Sequence, residues 1–328
     1  MDTVLYVMRE GAVIRRRSES LLVMDAEDKL LMEVESRRLV CVCVLSSVQV
    51  TTQALVELLT RKVPVSIFTQ SGELLGGLSP VPSGNGALRL AQYEKERDPV
   101  FALERAREVV TAKIHNQGQV LREYLYERGR DERVHEVARE LDRLATESGA
   151  ADTMPRLRGL EGAAARQYWS VFGRLLRVDW VRFTGRVARP ATDPVNAALS
   201  FGYSLLTHRL GSLCGAIGLD PYVGFLHEMA PNRPSLALDL IEPFRAPVVD
   251  RFVLSRFNRR IFRPEHFVRF DGGETRFRRE SLEIFFREWE VALHRIQAPR
   301  HFQAQVEAMR SLFLGNRSKL FPWRWSAR

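Results

Sequence analysis

Pro80-Val-Pro-Ser-Gly-Asn-Gly86 divides the 328-residue chain into two stretches with different hydrophobic periods. Two prolines and two glycines so close together interrupt both helix and strand, and the segment reads as a linker over 81–86. Upstream, Val4 to Met8, Ser20 to Asp25, Lys29 to Val34 and Arg38 to Leu45 are short runs of strand type, separated by polar or charged turns. Thr51 to Lys62 places Leu55, Leu58 and Leu59 at helical spacing, Val63 to Thr69 resumes a strand, and Gly72 turns the chain into Glu73 to Leu78. Downstream, Ala87 to Glu127 and Asp131 to Ser148 carry long apolar periodicity with charges between. Gly149 to Thr153 reads as a loop and Met154 to Leu176 as a further helix. The expectation is an α+β multidomain protein, with a small β-rich domain over 1–80 and a larger all-α domain over 87–328. The chain is long enough for each to bury its own core.

Hydrophobic residues at 45% and charged residues at 27% are ordinary for a globular protein. No apolar run approaches the roughly 18 residues of a membrane span. The amino terminus brings Arg9 and Glu10 where a secretion signal needs a long apolar core, so the expected location is the cytoplasm. Cys41, Cys43 and Cys214 are odd in number, which argues against a disulfide framework. Cys41 and Cys43 fall on one face of a strand, lack the second ligand pair that zinc requires, and read as buried small hydrophobes. Charge is uneven along the chain. Residues 1–250 carry 32 basic and 32 acidic groups, and residues 251–328 carry 17 and 8, so the net +9 lies in the last quarter. That end suits a polyanion, and Arg256, Arg259, Arg260, Arg263, Arg276, Arg278 and Arg279 have the planar fork that matches phosphate. Arginine outnumbers lysine throughout, so the clustering carries this inference and the residue type does not.

Gly224-Phe-Leu-His-Glu-Met-Ala-Pro-Asn-Arg-Pro-Ser-Leu-Ala-Leu-Asp-Leu-Ile-Glu-Pro-Phe-Arg245 is the segment richest in chemistry. It places His227 on a loop broken by Pro231 and Pro234, with Asp239 and Glu242 on one face of the following helix and Ser235 at its cap position. With Glu161 upstream, three carboxylates and an imidazole form a ligand set that suits Mg²⁺ or Mn²⁺ better than zinc. The competing reading makes Asp239 and Glu242 a solvated face and His227 a hydrogen-bonded loop residue. Glu161 shares a helical stripe with Ala165, Tyr168 and Phe172, so its charge needs a partner, either a metal or a buried Arg. Arg245, three residues after Glu242, suits either a DNA phosphate or a surface salt bridge. Tyr168 and Tyr203 lie in apolar helical surroundings, where packing with a hydrogen-bonded hydroxyl accounts for them without a covalent phosphotyrosine. Asn196 in Asp193-Pro-Val-Asn196 reads as a helix cap.

The words around these residues carry a resemblance. Gly159-Leu-Glu-Gly-Ala-Ala-Ala-Arg-Gln-Tyr168, Gly185-Arg-Val-Ala-Arg-Pro-Ala-Thr-Asp-Pro-Val-Asn-Ala-Ala-Leu-Ser-Phe-Gly-Tyr-Ser-Leu-Leu206 and the His227 loop stand in an order seen in one family, and Ala112-Lys-Ile-His-Asn-Gln117 is similar too. The chain resembles the universal CRISPR adaptation integrase, CRISPR-associated protein one, from its first strands to at least residue 260. The resemblance implies Glu161, His227 and Glu242 as ligands of Mg²⁺ or Mn²⁺, with Asp239 as a further acid close to the metal. It implies transesterification joining the 3′-hydroxyl ends of short captured duplex DNA to the CRISPR repeat. It also implies a homodimer and a small second adaptation protein, CRISPR-associated protein two, as partners. Arg245, Arg256, Arg259 and Arg260 are the expected DNA-binding residues.

The remaining features leave alternatives open. The edge strands of a β-rich domain offer surfaces for a second protomer or a partner. The segment Phe313 to Arg328 interleaves aromatics with Arg317, Lys319, Arg324 and Arg328, and suits packing on its own domain, base stacking or docking of Trp323 and Trp325 on a partner. A structure-directed metal-dependent nuclease that does not join DNA, and a non-catalytic DNA-binding scaffold, are the rival functions.

Overall fold

The structure is a computed structural model that describes residues 3–69, 74–79, 85–129, 131–188 and 190–326. The linker expected over 81–86 and the turn at Gly72 and Glu73 therefore lie mostly outside the described residues. The chain forms two compact units.

The β-rich unit contains β1 (Thr3–Val7), β2 (Val13–Arg17), β3 (Ser20–Met24), β4 (Leu30–Glu35), β5 (Leu39–Leu45), β6 (Gln49–Val50), α1 (Thr52–Thr60), β7 (Val65–Phe68) and β8 (Leu74–Leu78). One sheet has the order β1-β5-β7-β8 and the other β4-β3-β2-β6. The run Leu39-Val-Cys-Val-Cys-Val-Leu45 is apolar throughout because β5 lies between two parallel neighbours, β1 and β7, and is covered on both faces. Cys41 and Cys43 are buried there, their sulfurs 3.8 Å apart and Cys41 Sγ 3.7 Å from Ser66 Oγ. Strand β2 is absent from the sequence reading because Arg15, Arg16 and Arg17 look like a charged turn. Only Ile14 of this strand is buried, while Arg15 and Arg17 pair with Asp28 and Glu33 at the surface. Leu5, Val7, Ile14, Leu21, Val23, Val42, Val44 and Leu58 close the core between strands and α1.

Residues 265–268 and 276–291 also belong to this unit. Within it Arg279 Nη1 lies 2.7 Å from Glu10, Tyr6 Oη donates to Glu290 at 2.5 Å, and the Tyr6 and Phe286 rings are 4.3 Å apart. The uninterrupted domain expected over 87–328 is thus corrected: these pairings draw a late stretch of chain into the β-rich unit.

The helical unit contains α2 (Gly86–Glu96), α3 (Pro99–Arg128), α4 (Glu132–Gly149), α5 (Met154–Phe172), α6 (Pro194–Ala216), α7 (Ser235–Phe244), α8 (Arg251–Asn258) and most of the chain beyond residue 292. The apolar run expected from Ala87 to Glu127 is two helices. Asp98 caps the second through Val100 N and Phe101 N, and Pro99 sets its first residue. Helix α3 packs against α4, α5 and α7. Between α7 and α8 the backbone forms a π-helical turn, Arg245–Asp250, bracketed by Pro243 and containing Pro247. Two short paired strands, β9 (Phe267–Arg269) and β10 (Thr275–Phe277), have most of their residues in the late stretch that belongs to the β-rich unit. After α9 (Leu282–Arg295) and α10 (Ala298–Phe313), the chain continues as an extended strap. No helix among the described residues is long and apolar enough to cross a membrane.

Candidate active site

Three helices of the second unit bring opposite charges together. Lys113 on α3 places its Nζ 2.6 Å from Glu161 on α5 and 2.7 Å from Glu242 on α7. Glu242 is 1% exposed and meets Arg245 Nη1 at 3.0 Å and His227 Nε2 at 3.8 Å. Burial would push the Glu242 carboxyl up, but the Lys113 ammonium, the Arg245 guanidinium and His227 outweigh it and hold it at about 2. Burial likewise opposes the Lys113 charge, and the two carboxylates outweigh it and raise the amine. As they stand, no three His, Cys, Asp or Glu among the described residues are set to hold a metal ion. An ammonium takes the position between the two carboxylates.

His227 is positioned by its backbone surroundings. Gln92, wholly buried on α2, donates to the carbonyls of Asp220 and Val223 at 2.8 Å and accepts from Asp220 N. Arg158 on α5 donates to Leu226 O at 3.0 Å. Asp239 accepts from the backbone N–H groups of Phe225, Leu226 and His227 at 2.6, 3.0 and 2.9 Å, and its Oδ1 lies 2.7 Å from His227 Nδ1. A carboxylate partner makes Nδ1 the donor, which leaves the Nε2 lone pair facing Glu242. Asp239 is therefore a positioning residue for His227. Ser235 does not cap α7: its hydroxyl donates to Glu228 O, while Pro221 O accepts from Leu236 N and Ala237 N.

A second buried cluster adjoins the first. In the π-helical turn, i→i+5 bonding brings positions five apart close to one face, so Arg245 and Asp250 both reach Tyr203. The Arg245 guanidinium lies 4.2 Å from the Tyr203 ring centroid. Asp250 accepts from the hydroxyls of Tyr203 and, at 3.0 Å, Tyr168. Burial and the Asp250 charge raise both phenols well above their ordinary range, so neither is placed or activated as a nucleophile. Burial pushes Asp250 up to about 6 from its ordinary 3.8, against the lowering effect of Tyr203, Arg245, Tyr168 and Arg186. A raised carboxyl favours the folded state most when protonated, so its contribution is complete below pH 3.8 and is lost as pH rises through about 6. The parent is expected to lose on the order of 3 kcal/mol relative to Asp250→Asn between about pH 4 and pH 7. Denaturant unfolding of both proteins at each pH measures this, and an unchanged difference would contradict it.

The structure brings Glu161, His227, Asp239 and Glu242 into one neighbourhood, together with Lys113, which was not among the expected residues. A lone helical lysine reads as a solvated charge, and the segment Ala112 to Gln117 was the available signal. Arg245 pairs with a buried Glu242, so the expected surface salt bridge is instead largely enclosed. Arg256, expected on DNA, is buried with its guanidinium 5.1 Å from the Phe252 ring centroid, because it lies on the inner side of α8. Arg259 and Arg260 are exposed. Asn196 is not the α6 cap. Asp193 caps Val195 N and Asn196 N, while Asn196 accepts from Arg186 and Val187 N and donates to Gly185 O.

The chain and its fold have relatives. The family model described as CRISPR associated protein Cas1 matches residues 5–291. The chain belongs to the Cas1 family. It is 36% identical to a CRISPR-associated endonuclease Cas1 of Rhodospirillum rubrum over 301 residues, 88% of this chain and 86% of the relative. It is 36% identical to one from Thermus thermophilus over 284 residues, covering 86% of this chain and 85% of that protein. Among solved structures, a CAS1 protein from Thermotoga maritima superposes with a TM-score of 0.79 at 25% identity, covering 95% of this chain and 97% of that one. A chain of a Cas6-RT-Cas1–Cas2 complex gives 0.80 at 25% identity over 98% of this chain and 36% of that one. A casposase bound to integration product shares the fold, with a TM-score of 0.81 at 23% identity over 99% of this chain and 95% of that one. The chain is accordingly an enzyme of the CRISPR-associated Cas1 endonuclease family.

Proposed function

We propose that Glu161, His227 and Glu242 hold the divalent cation of this enzyme, Mg²⁺ or Mn²⁺, and that Asp239 orients His227 within that set. The observation that carries this reading is the convergence of Glu161 and Glu242 on one cation position, with His227 Nε2 turned toward Glu242. The donor chemistry fits: Glu242 Oε2 is buried and accepts no well-directed hydrogen bond despite the nearby ammonium, and a hard oxygen of this kind suits either ion. When bound, such an ion supplies Lewis acidity, lowering the pKa of an attacking hydroxyl and stabilising charge at phosphorus.

The substrate reading is short duplex DNA and the CRISPR repeat. A DNA 3′-hydroxyl oxygen forms a bond to a repeat phosphorus, the bond from that phosphorus to its own 3′ oxygen breaks, and the departing oxygen gains a proton. One phosphodiester replaces another; water in place of the hydroxyl gives cleavage. Arg245 keeps Glu242 ionised when the divalent ion takes the place of the Lys113 ammonium, and the exposed Arg259 and Arg260 suit the DNA backbone. The Cas2-containing relative supports a small second adaptation protein as partner, and the β-rich unit's edge strands suit a homodimer. The cytoplasm is the compartment for this chemistry.

A strand-transfer assay tests the reading: parent, partner, duplex with free 3′-hydroxyls, repeat-bearing plasmid and Mn²⁺, run beside His227→Ala and beside chelator. Joined product is expected from the parent alone. Cleavage without joining would favour a nuclease that does not integrate, and joining that survives chelation would exclude the metal reading.

A further inference from the structure

The helix that carries Glu242 is ten residues long and contains Pro243, so its own backbone is a weak guarantee of position. Two carbonyls of this helix, at Leu240 and Pro243, are held by side-chain amides from other helices. Asn116 on α3, wholly buried and three residues after Lys113, donates to Pro243 O at 2.6 Å. Gln305 on α10 donates to Leu240 O at 2.7 Å. These carbonyls bracket Glu242 in the sequence, on residues two before it and one after.

Each of the same two amides also holds the carboxyl-terminal strap. Asn116 donates to Trp323 O at 2.9 Å and accepts from Trp325 N at 2.9 Å, pairing with the strap as an adjacent strand would. Gln305 Oε1 accepts from Trp323 N at 3.4 Å. The Trp323 ring stacks on Phe244 at 5.4 Å and on His301 at 4.7 Å. Further back, Arg105 donates to Ser318 O at 2.5 Å and Glu108 accepts from Leu320 N at 3.0 Å, so α3 grips the strap at both ends. A solvent-facing tail needs none of this, and the mechanism above uses none of it.

We propose that residues 316–326 act as a positioning strap for α7, with Asn116 and Gln305 as positioning residues that fix Glu242 against Lys113. The inference rests on the reading of Glu242 as a catalytic ligand. Its physical basis is that Asn116 shares α3 with Lys113, so one rigid helix sets both the ammonium and the carbonyl beside its carboxylate partner. Loss of either amide lets α7 shift by a fraction of its contact distance, and a displacement near 1 Å costs about 100-fold in rate.

The test uses the full chain as parent, Asn116→Leu, Gln305→Met and Glu242→Gln. Single-turnover DNA cleavage, duplex affinity, a calorimetric Mn²⁺ titration without DNA, and thermal unfolding are measured on each. Both amide variants are expected to lose about 10- to 100-fold in rate and to bind Mn²⁺ about tenfold more weakly, with duplex affinity within about twofold of the parent. Gln305→Met, which keeps the side-chain volume, carries the test alone if Asn116→Leu does not fold. Folded variants with parental rate and Mn²⁺ binding would overturn the proposal, as would a rate loss that vanishes at temperatures where the variants are fully folded. If Glu242→Gln retains parental activity, the reading of Glu242 has failed, and that outcome is separate from an inactive Glu242→Gln beside active amide variants.

Discussion

Replacing Glu242 with glutamine is expected to reduce DNA cleavage and strand transfer by about a thousandfold or more, a loss of the size seen when a group stabilising developing charge is removed. The substitution keeps the shape of the side chain and removes only its charge. Because the carboxyl is held at about 2, the parent is fully ionised at any working pH, and no pH restores to glutamine what it lacks. The surroundings make the change worse. Lys113 keeps Glu161 at 2.6 Å, and Arg245 keeps the Tyr203 ring, so two cations remain beside a neutral amide. The site loses one negative charge together with a ligand, so its attraction for a divalent ion falls on both counts. Single-turnover rates over a wide Mn²⁺ range check this: the variant is expected to stay inactive as Mn²⁺ rises. A rate within tenfold of the parent would remove Glu242 from the catalytic set.

The extent to which these features were legible depended on how local their causes are. β5 was readable because burial on both faces writes itself as a continuous apolar run, Leu39 to Leu45. β2 was not, because a strand with a single buried residue and three arginines has the composition of a turn. The ligand candidates were visible because His227, Asp239 and Glu242 stand close together in sequence, with Glu161 in the separate segment Gly159 to Tyr168. Lys113 acquires its meaning from residues 48 and 129 positions later, a distance over which no spacing rule operates. Arg256 shows the limit of charge counting. Its place in a basic run suggested phosphate, whereas the inward side of α8 buries it beside Phe252. Ser235 and Asn196 had the residue types of caps, but Pro221 O and Asp193 already serve those helix ends. Residues 276–291 joined the β-rich unit through single pairings such as Tyr6 with Glu290, which leave no periodic trace.

Gly224→Ala is expected to do more damage than its size suggests. A Cβ built on Gly224 would lie 2.5 Å from Asp239 Oδ2, 2.7 Å from the Ser235 carbonyl carbon and 2.9 Å from Leu236 N. Two of these atoms are backbone at the start of α7, and the third belongs to a wholly buried carboxylate, so none can yield cheaply. The loop must move away from α7, and it then draws Phe225 N, Leu226 N and His227 N off Asp239. A cost of about 1–3 kcal/mol in unfolding free energy follows from the overpacking. A further loss of about 10- to 100-fold in activity follows at temperatures where the variant is folded, because His227 no longer has its orienting carboxylate. Gly159→Ala on α5 is the control: nothing lies within 4 Å of its Cβ position, and alanine suits a helix better than glycine. Comparing denaturant unfolding and single-turnover rates for the two variants separates the general effect of a methyl group from the effect at this approach. Equal stability and activity in both would mean that the loop accommodates the Cβ, and that the close packing of Gly224 on Asp239 is not what holds His227 in place.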